Sequence, residues 1–479
     1  MTASIAHPMI IQGGMGVGVS SWQLARAVAR RGQLGVVSGS VLDTLFVRRL
    51  QDGDAGGHLR RALAHLPITG AEEEILERYF LDGGRADGAS YRAVPMYRQV
   101  VGRAREQLTV AANFCEVWLA KEGHEGKVGI NLLTKVQLPN LASLYGAMLA
   151  SVDYVLMGAG IPREIPAVLD RFARHEPASI RFEVEGMPRG EEPLLSFDPA
   201  RHVNGSLPPL TRPHFLPIIA SNSLATMMAR KSEGRIDGFV VEGPTAGGHN
   251  APPRGKTVLD ENGEPVYGER DAVDLDRIRE IGLPFWLAGG TGAPEQLRRA
   301  LDAGATGIQV GTLFAYCEES GIEGRHKHAV LSRSRIEPLE VTTDLRASPT
   351  GFPFKIVKLD GSLSSEEVYQ ARERECDLGY LRTAYRRPDG RIDYRCPAEP
   401  VDTYVKKGGK VEDTVGRKCL CNSLLADVGH PQLRKDGYVE KPLLTSGDDL
   451  SQIERFAAGR TSYTAGDVLD HLLGEAVPA

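Results

Sequence analysis

The sequence predicts an α/β protein built on a (β/α)8 barrel, also called a TIM barrel. Eight short apolar runs rich in Val and Ile recur up to Phe314, and helix-like segments separate most of them. Continuous apolar runs, unlike alternating ones, are typical of parallel strands buried on both faces. Glycines follow nearly every run, as expected of the loops that end barrel strands. A doubly wound sheet stays open as the alternative, because periodicity alone does not show closure.

The predicted strands are short, which fits the staves of a barrel. They are Met9–Gln12, Leu34–Gly39, Lys127–Leu133, Tyr154–Gly160, His214–Ser221, Gly238–Gly243, Pro284–Gly290 and Gly307–Phe314. Amphipathic segments between them predict helices, and several end in glycine, which suits a left-handed helix C-cap. These segments are Ser21–Gly32, Leu138–Ser151, Ile161–His175, Ser223–Gly234 and Pro294–Gly304.

Two internal stretches exceed a minimal barrel. Residues 40–126 predict a mainly helical insertion after the second strand, with helices at Ala71–Leu81 and Arg98–Lys121. Residues 179–198 predict a β-hairpin whose turn lies at Pro188–Gly190. Both additions are expected to decorate the barrel without interrupting its strand order.

The chain is expected to divide into two parts. Residues 1–331 form the predicted barrel domain, and residues 332–479 form a C-terminal extension. No low-complexity linker separates the two, so we expect the extension to pack on the barrel.

Composition favours a soluble globular protein. The chain has 479 residues, of which 42% are hydrophobic and 25% charged, and its net charge is -5. Without a basic surplus, binding to nucleic acid or to anionic lipid is not expected. The sequence shows no targeting signal and no apolar stretch long enough for a membrane span, which predicts a cytoplasmic location. The six cysteines are then expected to be reduced.

Glycine-rich segments at the predicted strand ends are candidates for phosphate binding. Gly289 and Gly290 follow the seventh strand, and Gly311 and Thr312 end the eighth. In this fold a phosphate commonly binds to the loops after strands seven and eight, where glycines let backbone N–H groups approach an anion. Tight turns alone remain the alternative interpretation. The dinucleotide fingerprint and the P-loop both lack a required glycine in this sequence.

His249 is the candidate catalytic residue. It follows Gly247 and Gly248 after the sixth strand, where the glycine loops are expected to converge. Histidine is suited to proton transfer near neutral pH. By contrast, His326 and His328 flank a lysine in a predicted surface helix, and we expect both to be solvated.

Four cysteines in the extension raise the alternative of a structural zinc site. Their spacing lacks the paired C-x-x-C pattern of such sites, so no metal is expected and buried thiols are the preferred interpretation. The four are Cys376, Cys396, Cys419 and Cys421.

These motifs together resemble the nitronate monooxygenase family, whose members are flavin enzymes with a TIM-barrel core, and the related flavin-dependent enoyl-ACP reductases. The matching segments appear in the expected order between Met9 and Phe314 as IIQGGMG, GINLL, GAGIP, AGGHN, AGGTG and QVGT. The resemblance implies a non-covalent FMN above the barrel and His249 as the catalytic residue. The residues it implies for FMN are Gly14, Met15, Asn131, Glu242, Gly247, Gly248, Gly289, Gly290, Gln309, Val310, Gly311 and Thr312.

The chain departs from this pattern at two positions near the implied flavin. Many relatives carry Gln where this chain has Glu242, and an acidic residue where it has Thr245. A carboxylate beside a flavin would disfavour an anionic ring, so Glu242 is expected to be hydrogen-bonded, protonated or turned away. The insertion and the extension also exceed the usual length.

Three functions stay open from the sequence. The first is an FMN-dependent monooxygenase that oxidises alkyl nitronates, with dioxygen as the co-substrate. The second is an NAD(P)H-dependent FMN enoyl reductase of a fatty-acid or polyketide pathway, with an acyl carrier protein as partner. The third is a flavin-holding accessory or scaffold protein whose insertion and extension bind another chain.

Overall fold

Eight parallel strands form the centre of the protein in a computed structural model that describes residues 7–203, 205 and 207–474. The first six residues, part of the segment examined for a targeting signal, lie outside this described part. The central strands are labelled β1 to β8 in chain order. They are Ile10–Gln12, Gly35–Ser38, Val128–Leu133, Tyr154–Gly158, His214–Ile219, Phe239–Glu242, Phe285–Ala288 and Gly307–Val310.

The strands close into a barrel. Their order is β1-β8-β7-β6-β5-β4-β3-β2, and every pairing is parallel. Backbone hydrogen bonds from Gln12 to Leu34 (2.9 Å) and from Leu34 to Ile10 (3.0 Å) then join β1 to the start of β2. The predicted (β/α)8 barrel is therefore confirmed, and the open doubly wound sheet is excluded.

Side chains fill the barrel, so the barrel is a core and not a pore. The interior cluster includes Ile11, Val36, Leu156 and Trp286, all fully buried. The Trp286 indole N–H donates to the Pro8 carbonyl at 2.8 Å, so this ring is satisfied although it lies in an apolar interior.

The helices surround the barrel and begin where the sequence supplies caps. Ser21 accepts a hydrogen bond from the Leu24 N–H, and Ser221 accepts one from Leu224, which are the N-cap contacts of two barrel helices. The α-helices are Trp22–Arg30, Leu42–Gln51, His58–Leu63, Ala71–Tyr79, Arg103–Lys121, Asn140–Leu149, Ile165–Phe172, Asn222–Lys231, Leu275–Arg279, Pro294–Asp302, Thr312–Ala315, Gly324–Ser334, Glu366–Gln370, Val401–Lys406, Leu420–Asp427, Ile453–Ala457 and Ala465–Leu473. Short 3-10 helices lie at Ala55–Gly57, Pro199–Arg201, Glu269–Asp271, Val411–Thr414 and Asp448–Gln452.

The insertion after β2 is mainly helical, as predicted. Its last helix begins at Arg103, five residues later than the sequence pattern suggests, because residues 80–102 form turns and irregular chain. That helix packs on the barrel side through an almost continuously buried stretch from Glu106 to Val117.

The predicted hairpin forms, and the segment between its strands pairs with a strand of the extension. Ala178–Arg181 pairs antiparallel with Leu194–Phe197. The connecting segment contributes Val184–Glu185, which pairs in parallel with Thr383–Arg386 of the extension. The segment between the two strands of the hairpin thus holds part of the extension.

The extension contains two more antiparallel strand pairs and shares one hydrophobic core with the barrel. The pairs are Val341–Asp344 with Phe354–Val357 and Thr383–Arg386 with Ile392–Arg395. Tyr463 is buried in the main core cluster, and its hydroxyl donates to the Leu313 carbonyl just after β8, at 2.7 Å. No helix within the described ranges has the length and apolar character needed to cross a membrane.

Candidate active site

A large cavity opens at the carboxyl ends of the barrel strands. Its empty volume is about 1530 Å3 out to the mouth, and residues at or just after all eight strands line it. In (β/α)8 enzymes this end of the barrel carries the active site. The glycine loops that follow the strands therefore meet at one cavity, which is the candidate active site.

The structure brings the predicted site residues together at this cavity, with one exception. His249 and eleven of the twelve residues implied for FMN line it. The exception is Val310, whose side chain is fully buried in the core between the barrel and its helices. Successive residues of a strand point to opposite sides, so Gln309 faces the cavity and Val310 cannot. Only the backbone of Val310 stays near the site, where its carbonyl accepts from the Gly13 N–H at 2.9 Å.

His249 is held by the extension. Its Nε2 atom lies 2.7 Å from the Ser348 hydroxyl oxygen, and its ring meets that of Phe354 edge-on at 4.9 Å. The flanking backbone is fixed too, because the Lys355 N–H donates to the Gly248 carbonyl at 2.9 Å. Burial lowers the pKa of His249 to about 4. The imidazole is therefore neutral at pH 7 and carries no charge with which to attract an anion.

Glu242 ends β6 and lines the same cavity as His249. Burial raises its pKa from 4.5 to about 8. No Lys or Arg side chain lines the cavity in the described part of the chain, so nothing there compensates a carboxylate. Of the three states expected for Glu242, the structure supports the protonated one: a carboxylic acid at neutral pH.

Replacing Glu242 by Gln is expected to remove a pH-dependent loss of stability. The raised pKa gives the parent a stabilising contribution that is complete below about pH 4.5 and is lost as the pH rises through about 8. The free energy of unfolding of Glu242→Gln should thus fall less than the parent's between pH 5 and pH 8, by about 2–4 kcal/mol. Urea unfolding at both pH values measures this difference. Glu261→Gln, at an exposed site, is the control, and equal pH dependence in parent and Glu242→Gln would contradict the assignment.

The glycines at the site serve different purposes. A Cβ atom at Gly14 would lie 2.1 Å from the Asn131 Cβ, and one at Gly247 would lie 2.7 Å from the Ser446 backbone. Packing alone therefore requires glycine at both. Gly311 has a φ of -108°, and a Cβ there would only touch the Met15 sulfur at 3.5 Å. Neither strain nor packing requires this glycine, and the space beside it is open to a ligand.

Two buried oxygens at the cavity lack partners and fit a polar ligand. The Asn131 Oδ1 and Gln309 Oε1 atoms are buried and form no hydrogen bond in the described structure. Buried polar atoms are normally satisfied, so each orphan calls for a missing partner. The Asn131 amide N–H is already used, since it donates to the Gly14 carbonyl at 3.2 Å. The two free oxygens therefore suit donors such as the N–H and O–H groups of a bound cofactor.

The predicted phosphate cradle holds a carboxyl group of the extension. The Thr312 hydroxyl donates to Asp449 Oδ1 at 2.5 Å, and the Gly447 N–H donates to the Thr312 oxygen at 3.2 Å. A Cβ atom on Gly292 would approach Asp449 Oδ2 to 3.1 Å. Burial raises the pKa of Asp449 against the opposing effect of the Thr312 hydrogen bond. The cradle thus accommodates oxygen atoms of the kind that a phosphate carries.

Comparison with known proteins shows which family part of the chain resembles. Residues 197–357, which run from the hairpin through β5–β8 to the strand beside His249, match the family model of nitronate monooxygenase. This stretch is similar to the nitronate monooxygenase family. The resemblance predicted from the glycine motifs is confirmed.

Relatives match only parts of the chain. The nitronate monooxygenase of Pseudomonas aeruginosa is 28% identical over 191 residues, which are 40% of this chain and 48% of that protein. A probable nitronate monooxygenase of Staphylococcus saprophyticus is 29% identical over 139 residues, 28% of this chain and 37% of that protein. The chain thus spans less than half the length of these curated relatives.

Among solved structures, FabK from Thermotoga maritima shares 16% identity at a TM-score of 0.49, with 98% of this chain and 93% of that chain covered. The assignment of the barrel rests on the strand order and closure described above.

The extension supplies site residues that the sequence did not reveal. Beyond the segment that matches the nitronate monooxygenase family, side chains from several parts of the extension line the cavity. They are Tyr380, Leu381, Leu420, Cys421, Leu424, Thr445, Ser446 and Asp449. Apolar runs such as the one around Leu420 look like ordinary core, and the turn around Asp449 looks like a loop. No signal in a single sequence separates either from packing.

Two further histidines and the six cysteines complete the titratable residues considered in the sequence. His328 is exposed as predicted, but His326 is only 8% exposed, because its helix turns that face toward the core. All six cysteines are free; Cys376 is half-buried and the others are buried. Among the described residues no group of three or more His, Cys, Asp or Glu side chains is arranged to hold a metal.

Proposed function

We propose that the protein is an FMN-dependent oxidoreductase of the nitronate monooxygenase kind. The observation that carries the proposal is the convergence of His249 and the residues implied for FMN on one cavity at the mouth of the barrel. The unpartnered oxygens of Asn131 and Gln309 support a polar, partly aromatic cofactor there. Similarity to the family supports the same conclusion.

The proposed roles assign different residues of the cavity to the cofactor and to the substrate. Gly290, Gly311 and Thr312 would hold the phosphate, while Asn131 and Gln309 would bind the polar edge of the ring or its chain. FMN supplies reversible transfer of electrons or hydride when it is bound. His249 also lines the cavity, where its neutral imidazole can accept a proton from a substrate or donate a hydrogen bond to it.

Oxidation of an alkyl nitronate by dioxygen is the first activity to test, because the family match supports it. Glu242, as a carboxylic acid, would donate a hydrogen bond to a nitronate oxygen. A neutral nitroalkane would in addition need a base, and His249 is the group available for that step.

Reduction of an enoyl thioester by NAD(P)H is a second candidate, favoured by one feature of the site. The lining of the described cavity contains no Lys or Arg, and both groups nearest the reaction, His249 and Glu242, are neutral at pH 7. An uncharged substrate loses less hydration than an anion on entering such a site.

One anaerobic experiment separates the candidates. The purified protein is saturated with FMN and its visible spectrum is followed after addition of ethyl nitronate, or of NADH or NADPH followed by an enoyl thioester. Rapid loss of the oxidised-flavin absorbance with nitronate supports the first activity. Loss with a reduced nicotinamide and recovery with the thioester support the second. A flavin that responds to none of them overturns the enzyme proposal and leaves the scaffold role, and a protein that takes up no FMN overturns the flavin assignment.

Asp449 is expected to oppose FMN binding as the pH rises. Its carboxyl group bonds the Thr312 hydroxyl in the cradle, and ionisation there would repel a phosphate. FMN affinity of the parent should therefore fall as the pH rises through the raised pKa of Asp449. Asp449→Asn should bind FMN roughly tenfold more tightly at high pH and depend less on pH. Fluorescence titration of FMN at several pH values measures this, with the exposed Asp302→Asn as control. Weaker binding by Asp449→Asn would mean that the carboxylate holds the cofactor instead.

The cytoplasmic location also stays part of the proposal. The absence of any disulfide among the six cysteines, all of which lie in the described ranges, supports it.

A further inference from the structure

We propose that the C-terminal extension forms a binding subsite for an uncharged alkyl chain of the substrate. The subsite is the part of the cavity lined by five extension residues, named here the extension wall: Tyr380, Leu381, Leu420, Cys421 and Leu424. The inference rests on the proposed function, since it names the chemical class that the same cavity would accept beside the cofactor.

The extension wall adjoins the catalytic end of the cavity. Leu420 is fully buried and packs in one hydrophobic cluster with Phe354, and Leu381 and Leu424 pack against that cluster. The Phe354 ring in turn contacts the His249 ring at 4.9 Å. A chain bound along the wall would therefore lie next to the residues that hold His249.

The polar groups of the extension wall are either hydrogen-bonded elsewhere or uncharged. The Tyr380 hydroxyl donates to Asp43 Oδ1 and lies 2.8 Å from the Thr44 hydroxyl, both in the insertion. Burial raises the pKa of the Cys421 thiol well above its ordinary value, so it is protonated and behaves as a small apolar group. What these residues offer to the cavity is apolar surface.

Other parts of the cavity lining are apolar as well. Val17, Val41, Leu133 and Val136, from the loops after β1, β2 and β3, also line it. None of them, and none of the wall residues, is among those implied for FMN. Cofactor binding thus leaves this apolar region unexplained, and pockets with mostly apolar lining and few polar groups are typical of small-molecule sites.

Exposure distinguishes a binding surface from ordinary core. Leu381 and Leu424 are half-buried and line the cavity, so part of each side chain is open to a bound ligand. The described lining also lacks any Lys or Arg, so it contains no cation to pair with a carboxylate or phosphate on the chain. The occupant must then be uncharged over this region.

Binding of 1-alkanols from butanol to decanol tests the subsite without any reaction. Calorimetric titration of the full-length protein, saturated with FMN, gives the dissociation constant of each alkanol. Each methylene buried against the wall should tighten binding by about fourfold. Leu424→Gln, in the helix Leu420–Asp427, should reduce that increment to twofold or less. Leu473→Gln is the matched control, because Leu473 is also half-buried on a helix of the extension but does not line the cavity.

Each outcome decides the proposal. Affinity that does not depend on chain length in the parent, or an increment unchanged in Leu424→Gln, would overturn it. If Leu424→Gln fails to fold by its melting temperature, Leu424→Ala takes its place and should weaken decanol binding at least tenfold more than butanol binding. Because alkanols are not converted and calorimetry needs no flavin signal, a protein that binds them by chain length yet reacts with neither nitronate nor NAD(P)H refutes the proposed function alone.

Discussion

Replacing His249 by Ala should abolish most turnover and leave the cofactor bound. The phosphate contacts proposed for FMN come from Gly311 and Thr312 and not from the imidazole, so we expect its loss to remove no phosphate contact. General acid–base groups contribute about 10²–10⁴-fold to catalysis, and we expect a loss of that order in kcat/KM with a neutral nitroalkane or an enoyl thioester. Steady-state kinetics and flavin content measure the two effects separately.

The choice of substrate identifies what His249 does. A preformed nitronate needs no proton removed, so its oxidation should suffer less than that of the parent nitroalkane. Because burial lowers the pKa of His249 to about 4, a purely electrostatic hold on the anion is not expected. His328→Ala, at an exposed position, is the control. Parent rates with both neutral and anionic substrates would show that His249 is only a loop histidine.

Ser348 helps to fix the orientation of the His249 ring. Its hydroxyl lies 2.7 Å from the His249 Nε2 atom and also contacts the Thr350 hydroxyl at 2.7 Å, so it fixes the ring orientation from the extension. His249 is thus positioned by residues that follow it by about one hundred positions in sequence.

The barrel was predictable from the sequence because its physical signature is local. Each strand is a short continuous apolar run, such as Phe239–Glu242, and burial on both faces imposes that pattern wherever the run lies in the chain. The loop glycines follow from the same logic, since the ends of parallel strands must turn sharply into helices. Position after the sixth strand also predicted that His249 would lie at the mouth of the barrel, where it lines the cavity.

The remaining features depend on contacts between distant segments. Sequence spacing does not show that Ser446 packs against Gly247 and leaves no room for a side chain there. Nor does it show that the Tyr380 hydroxyl of the extension donates to Asp43 of the insertion. The protonated state of Glu242 likewise follows from what is missing around it, namely a cation in the cavity lining. A single sequence shows which residues are present, but not which of them a buried group fails to meet.

Replacing Gly311 by Val in the phosphate cradle should weaken FMN binding and leave the fold intact. The backbone at Gly311 has an ordinary φ of -108°, and a Cβ there meets only the flexible Met15 side chain at 3.5 Å, so valine adds little strain. Its branched side chain would fill the space through which backbone N–H groups approach a phosphate. Hydrogen bonds to charged groups contribute about 1.5–3 kcal/mol each, so the loss of one bond weakens FMN binding by about 10–100-fold.

Fluorescence titration measures FMN affinity, and thermal unfolding of the cofactor-free protein checks the fold. Gly102→Val is the matched control, since Gly102 also has a negative φ and open space around its Cβ position but lies before the helix Arg103–Lys121, outside the cavity lining. We expect parent affinity in the control and unchanged melting temperatures for Gly311→Val. Full flavin occupancy of Gly311→Val at low free FMN would show that the phosphate binds elsewhere, and the roles of Gly290 and Thr312 would then have to be reassigned with it.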